Sequence, residues 1–170
     1  SEYLALAQLL LLNQNPYWAA EVLISGQNKI TTRTETVVDK VTKKETKVEK
    51  TGPVVRNTEK NLKLLADSWR MAQEVDKAIP VLEKAAKMSK EGKSYVLLGN
   101  LYLSEDKVNL AVEAIKKGLD KGKITKISQV YLTLGQAYYE LQEFDNAKKQ
   151  FRIAARDDDK KIKKQANNWI

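Results

Sequence analysis

The sequence contains no cysteine and no histidine, and it has only three prolines and seven glycines among its 170 residues. Without cysteine and histidine, the chain cannot carry a Ser–His or Cys–His nucleophile, a thiol redox site or the usual zinc sites. The glycines are scattered singly, which argues against a glycine-rich phosphate loop. We therefore expect a protein that is not an enzyme and that holds no cofactor and no metal ion.

Clusters of like charge and long apolar runs are also scarce. The formal net charge is +8, yet the nearest approach to a basic patch is the pair of lysine doublets at 160–161 and 163–164. We interpret them as the solvated face of a last helix, so nucleic-acid binding is not expected. The leucine run at 9–12 is too short to span a membrane. The acids at 157–159 lack the spacing of a calcium loop and are interpreted as a helix break.

What the chain does have is a repeated pattern of large and small apolar residues. One copy consists of Tyr131, Leu134, Gly135, Tyr138, Ala147, Phe151 and Ala154, and the other of Tyr95, Leu98, Gly99, Tyr102, Ala111, Ile115 and Gly118. The spacing places these residues on one face of each helix in a helix–turn–helix pair. A glycine inside a helix costs about 1 kcal/mol relative to alanine, so Gly99 and Gly135 indicate a close crossing of two helices.

Two weaker copies precede these. They consist of Leu62, Leu65, Ala66, Trp69, Ala78, Leu82 and Ala85, and of Tyr3, Leu6, Ala7, Leu10, Ala19, Leu23 and Gly26. The equivalent alanines Ala19, Ala78, Ala111 and Ala147 are separated by 59, 33 and 36 residues. The long first separation predicts an insertion of roughly 25 residues between the first and second copies.

This pattern resembles the tetratricopeptide repeat (TPR), a helix–turn–helix unit of about 34 residues. The resemblance implies an all-α fold, a right-handed α-solenoid of hairpins with one inserted loop or β-hairpin. The predicted segments are a TPR-like hairpin at 1–30, the insertion at 31–57, repeats at 58–90, 91–125 and 126–159, and a capping helix at 160–170. Because the chain starts inside a predicted helix without an initiating methionine, we expect it to be a fragment of a longer protein.

The turns predict where the second helices begin. Asp76, Asn109 and Asp145 each stand where a helix N-cap is expected, and Asn15 precedes Pro16, the favoured first-turn residue.

The family resemblance also implies a function. In TPR proteins the first helix of each hairpin lines a concave groove that binds a peptide or protein segment, which predicts a noncatalytic scaffold for protein–protein interaction. The groove residues implied are Gln8, Lys63, Asp67, Arg70, Asn100, Leu103, Leu132, Gln136 and Tyr139, with Leu4 beside Gln8. Lys63 suits the carboxylate clamp of chaperone-binding TPR domains, but the acid Asp67 a turn later would repel a carboxylate.

The insertion differs in composition from the helices around it. Residues 31–57 hold seven threonines and six valines, which favour strands, and 34–38 and 45–49 predict two strands around a turn near Lys43. The alternative is an irregular surface loop, which costs little free energy. A β-ribbon would offer a free edge, so the second hypothesis for function is self-assembly into a homo-oligomer through the insertion.

A second resemblance concerns location. The segments 17–23 and 121–124 resemble bacterial envelope TPR proteins, including those that accompany TonB-dependent uptake systems. The resemblance implies a periplasmic location, and a cytoplasmic location is the alternative.

The repeat pattern predicts a stability effect. Ala147→Arg or Ala111→Arg forces a charge into a helix crossing, so thermal unfolding followed by circular dichroism should show neighbouring repeats melting together with the altered one. The exposed replacement Lys116→Ala should leave the transition unchanged. A melt of Ala147→Arg that coincides with that of the parent chain would contradict the predicted crossing.

Overall fold

The computed structural model describes residues 1–170, which form nine helices and one two-stranded antiparallel sheet. The elements are α1 (Glu2–Leu12), α2 (Pro16–Asn28), β1 (Ile30–Val38), β2 (Glu45–Pro53), α3 (Glu59–Met71), α4 (Val75–Met88), α5 (Lys93–Ser104), α6 (Val108–Lys121), α7 (Ile127–Glu140), α8 (Phe144–Ala154) and α9 (Lys160–Asn167). The chain divides into two compact units, Ser1–Val81 and Leu82–Ile170. No helix is long and apolar enough to cross a membrane.

The four turns that join α1 to α2, α3 to α4, α5 to α6 and α7 to α8 share one geometry. Each has one left-handed residue midway between the two helices, with φ between 55° and 62°: Gln14, Gln73, Asp106 and Gln142. In each turn the next amide donates to a carbonyl five residues earlier, as from Glu74 to Trp69 and from Glu143 to Tyr138, both at 2.9 Å. These are the hydrogen bonds of a Schellman motif, here built without glycine.

This turn corrects three of the predicted caps. The helices α4, α6 and α8 begin at Val75, Val108 and Phe144, so Asp76, Asn109 and Asp145 lie inside the first helical turn and are not N-caps. The reason is that the Schellman bonds fix the turn length, and the second helix starts two residues after the left-handed one. The two aspartates still lie at the positive end of the helix dipole. Asn15 stands at the N-cap position before Pro16, as predicted, but its side chain makes no cap hydrogen bond and its Nδ2 donates to the Asn13 carbonyl at 2.9 Å.

The glycines of the repeat pattern lie at close helix crossings, as predicted. A β-carbon on Gly135 would come within 2.5 Å of the Phe151 ring, and one on Gly99 within 2.5 Å of the Ile115 side chain. Phe151 and Ile115 are themselves buried, with exposed fractions of 1% and 0%. A side chain at either glycine would therefore force α5 away from α6, or α7 away from α8.

Each unit has its own apolar core. In the first unit α2 contacts both α1 and α3, around Ala7, Ala19, Leu23, Leu62 and Trp69. In the second unit α7 contacts α6, α8 and α9. Its core consists of Val112, Ile115, Val130, Leu132, Leu134, Ala137, Tyr138, Ala147, Phe151, Ala154, Ile162 and Ala166.

The insertion is a β-hairpin, which decides between the two alternatives left open by the sequence. Both strands extend beyond the predicted 34–38 and 45–49, and their register pairs Ile30 with Pro53 and Val38 with Glu45. The hairpin is anchored at its base by Val55, which is fully buried and whose amide donates to the Gly26 carbonyl at 2.8 Å. A β-carbon on Gly26 would lie 2.5 Å from Val55, so this glycine makes room for the anchor.

The last helix, α9, packs against α7 and α8 of the second unit. Ile162 and Ala166 of α9 are buried, and the Trp169 ring stacks on Phe151 with centroids 5.3 Å apart. Two of the acids that precede α9 accept hydrogen bonds from backbone amides. Asp159 accepts from the Lys161 amide at 2.8 Å, and Asp157 accepts from the Asp159 amide at 2.7 Å. These bonds confirm the interpretation of 157–159 as a helix break.

Among the glycines, Gly92 makes the closest approach to another backbone segment, and this gives a prediction. A β-carbon on Gly92 would lie 1.9 Å from the Gly118 carbonyl oxygen, which belongs to the backbone and cannot rotate away. Gly92→Ala should therefore lower the free energy of unfolding by about 1–3 kcal/mol or more in urea denaturation. The control is Gly52→Ala, whose nearest neighbour would be Arg33 Nη2 at 3.7 Å. Equal stability of the two variants would contradict this account.

Candidate protein-binding surface

The first unit has a cleft between α1 and α3 that brings together several predicted groove residues. The cleft has a volume of about 280 Å³ and is lined by Leu4, Gln8, Lys60, Asn61, Lys63, Leu64 and Asp67. The amphipathic helix α3 creates this arrangement, since Leu62, Leu65 and Trp69 are buried on one face. Lys63, Leu64 and Asp67 lie on the face that lines the cleft. Leu4, Gln8, Lys63 and Asp67 had all been predicted to line a groove.

The charges in this cleft are arranged unequally. Lys63 forms no ion pair within the chain, whereas Asp67 Oδ1 lies 3.5 Å from Arg70 Nε. Arg70, which was also predicted to line the groove, thus offsets the charge of Asp67. The ammonium of Lys63 is left to interact with a ligand, beside the amides of Gln8 and Asn61.

The second unit presents the remaining predicted residues on α5 and α7. Asn100 is exposed, while Gln136 and Leu103 are half-buried, Leu103 against the core. Tyr139 is 47% exposed and packs edge-on against Phe144 and Trp169, at centroid distances of 5.3 and 5.0 Å.

Leu132 requires a correction. It is only 3% exposed and belongs to the core of the second unit, so it does not offer a surface for a ligand. The reason is that α7 contacts α6, α8 and α9, and a helix with three neighbours buries more than one face.

A second cleft, which the sequence did not reveal, lies among α4, α5 and α6. Its volume is about 250 Å³, and its lining includes Glu83, Tyr95, Tyr102, Leu110 and Glu113. The Tyr102 hydroxyl donates a hydrogen bond to Glu83 Oε1. Burial, this hydrogen bond and the charges of Glu83 and Glu113 raise the pKa of Tyr102 to about 12. The sequence did not reveal this role of Tyr102, because the repeat pattern explains the residue as part of the helix packing.

Lys121, at the end of α6, links that helix to the end of α4 beside the same cleft. Its Nζ donates to the carbonyl of Ala86 at 3.1 Å and to that of Ser89, at the end of α4. It also lies 5.0 Å from the centre of the Tyr95 ring. A cation here complements the negative end of the helix dipole.

No group of three or more acidic side chains in the structure is arranged to hold a metal ion. The α1–α3 cleft combines apolar, amide and charged side chains. The cleft among α4, α5 and α6 combines two tyrosines and apolar side chains with two glutamates and two lysines.

The repeats can be compared with known families at this point. A family model for the tetratricopeptide repeat matches residues 92–120 and 128–155, which correspond to α5–α6 and α7–α8. Two helical hairpins of the chain therefore match tetratricopeptide repeats. Moreover, α3, α5 and α7 begin 34 residues apart, at 59, 93 and 127, which is the period of this repeat.

Solved structures of TPR type resemble between 67% and 99% of the chain. A crystal structure of MamA is 22% identical over 95% of this chain and 79% of its own, with a TM-score of 0.66. The TPR domain of Arabidopsis OM64 is 20% identical over 67% of this chain and 97% of its own, with a TM-score of 0.56. A chain of the APC/C hetero-tetramer Cut9–Hcn1 is 13% identical over 99% of this chain and 29% of its own, with a TM-score of 0.64. No curated protein sequence matches the chain.

These likenesses support the fold class, a TPR-type helical architecture with one inserted β-hairpin. They give no support to the resemblance to TonB-associated proteins.

The pKa of Tyr102 gives a prediction about alkaline stability. A phenol whose pKa is raised from 10.0 in the unfolded chain to about 12 in the folded protein stabilises the fold below pH 10. This contribution should disappear as the pH rises from about 10 to about 12, and the free energy of unfolding should fall accordingly. In Tyr102→Phe that part of the fall should be missing. Urea denaturation at several pH values measures it, and identical pH profiles would contradict the assignment.

Proposed function

We propose that the chain is a noncatalytic scaffold that binds a segment of another protein through the first helices of its repeats. The observation that carries this proposal is the cleft between α1 and α3, where four residues expected in a TPR groove line one cavity. Proteins built from TPRs generally mediate protein–protein interactions and are typically noncatalytic, which supports the same conclusion.

The lining of the cleft favours a peptide with mixed chemistry. Leu4 and Leu64 offer apolar contacts, and the amide of Gln8 can bond to a peptide backbone. Asn61 Nδ2 already donates to the Arg56 carbonyl at 2.9 Å, so Asn61 offers chiefly its side-chain oxygen as an acceptor. Lys63 adds a free positive charge that suits an acidic side chain. Since Arg70 offsets the charge of Asp67, that acid is a weaker obstacle to an acidic ligand than the sequence implied.

In the second unit, Asn100, Gln136 and Tyr139 are accessible residues of α5 and α7, and we propose them as a contact surface of that unit. The most specific form of the proposal is a periplasmic accessory protein of a bacterial TonB-dependent uptake system. That form depends only on the sequence resemblance of residues 17–23 and 121–124.

The proposal can be tested with peptides selected against the intact chain from a random displayed library. Lys63→Glu should weaken the selected peptides at least about tenfold, because it replaces the free cation in the cleft by an acid. Lys116→Glu makes the same charge change on α6, where Lys116 is exposed, and serves as the control. Isothermal titration calorimetry gives both constants. Equal constants for both variants and the parent chain would refute binding in this cleft.

A further inference from the structure

The inserted β-hairpin has two free edges, and its hydrogen bonds determine which groups each edge presents. The Val54 amide donates to the Lys29 carbonyl at 2.9 Å, and the Asp39 amide donates to the Lys44 carbonyl at 3.0 Å. Antiparallel pairs alternate between hydrogen-bonded and non-hydrogen-bonded. The odd-numbered residues of β1 therefore bond to β2, and the even-numbered ones direct their N–H and C=O groups outward.

The two edges differ in chemistry. The outward groups of β1 belong to uncharged β-branched residues, namely Ile30, Thr32, Thr34, Thr36 and Val38. Those of β2 belong to Glu45, Lys47, Glu49, Thr51 and Pro53. Charged residues and proline protect a strand edge against pairing, and β-branched residues favour it. The edge of β2 is thus protected, and the edge of β1 is open.

The sequence of β1 is complementary to itself when two copies run antiparallel. With Thr34 opposite Thr34 of the other copy, Arg33 lies opposite Glu35, and Ile30 lies opposite Val38. Thr32 then lies opposite Thr36, and Thr31 opposite Val37. Opposite charges, paired threonines and paired β-branched residues are all favourable cross-strand neighbours.

We propose that two copies of the chain associate through β1, antiparallel and centred on Thr34, to form a continuous four-stranded sheet. In this register each even-numbered residue lies opposite another even-numbered one, so the outward N–H and C=O groups meet in hydrogen-bonded pairs. Arg33 and Glu35 then form the closer, non-hydrogen-bonded pairs, where side chains approach best. The contact is symmetric and therefore closes as a dimer.

Charge also selects this register over its neighbours. A shift of one residue sets outward groups opposite inward ones and loses the hydrogen bonds. The next hydrogen-bonded registers set Arg33 opposite Arg33, or Glu35 opposite Glu35, and like charges in that position are unfavourable. The penalty is larger for Arg33, because Glu35 already pairs with Lys50 Nζ at 2.8 Å.

The exposure of the ribbon supplies a driving force. Ile30 is 61% exposed, Val37 45% and Val38 49%, and an isolated two-stranded ribbon is only marginally stable in water. Pairing with a second copy covers part of these side chains, by placing Ile30 beside Val38, and satisfies the open edge. The inference concerns a surface separate from the α1–α3 cleft and holds whether or not a peptide binds there.

Proline substitutions at one ladder position distinguish the two edges. Thr34 and Glu49 are cross-strand partners, and both direct their N–H groups outward, so a proline at either one leaves the hydrogen bonds of the hairpin in place. Sedimentation equilibrium of the full chain should show a dimer that Thr34→Pro abolishes and Glu49→Pro retains. Amide exchange by NMR should show Thr32 and Thr36 becoming protected as concentration rises, while the odd-numbered amides of β1 are protected throughout.

A charge exchange tests the register. Arg33→Glu and Glu35→Arg each create like-charge pairs twice in the symmetric dimer, and each should raise the dissociation constant by roughly tenfold or more. Mixing the two variants makes both pairs complementary again and should restore association between unlike copies. Protected odd-numbered amides in each variant verify that its hairpin is intact.

Two results would overturn the inference. One is a chain that stays monomeric with the Thr32 and Thr36 amides exchanging freely at every concentration. The other is a dimer that Thr34→Pro leaves unchanged, since this would place the contact on another surface.

A dimer with restored association in the mixture supports both the edge and its register. A dimer sensitive to Thr34→Pro but not to the charge variants would refute the register.

Discussion

The close approach of paired helices at small residues is the constraint on which the rest of this structure depends. Gly99 and Gly135 leave no space for a β-carbon beside Ile115 and Phe151, and Gly92 nearly touches the backbone of Gly118. Because such contacts fix the separation of the axes, the first helices present defined faces instead of a loosely packed surface. The surface available for binding is therefore a consequence of packing at positions that never meet a ligand.

A second constraint is the common turn. Four Schellman motifs with a left-handed glutamine or aspartate set the same offset between the helices of each pair. Regular turns leave the functional variation to the first-helix residues and to the one place where the regularity is interrupted. At that interruption, Gly26 and Val55 hold the base of the ribbon against α2 while most of the ribbon remains exposed. The chain thus combines a cleft suited to a peptide with an edge suited to a strand.

Much of this could be predicted from the sequence, and the parts that could not have physical reasons. Glycines inside apolar helices reveal crossings, since only packing explains their cost. The turns were harder, because Gln73 and Gln142 give no glycine signal for a left-handed residue, and the predicted caps at Asp76 and Asp145 lay inside the helices. Leu132 was misassigned because the family resemblance indicates which helix lines the groove and not how many neighbours that helix has. The open edge of β1 depends on which alternate residues bond to β2, and composition does not reveal this.

The central claim is that first-helix residues held in place by these crossings form a protein-binding surface. The most direct test is an NMR titration of the intact, isotope-labelled chain with a bound peptide, followed through the backbone amides. The account predicts that the shifts concentrate on Leu4 and Gln8 of α1 and on Lys60–Asp67 of α3. Shifts confined to the β-ribbon or to α9, with α1 and α3 unaffected, would contradict it.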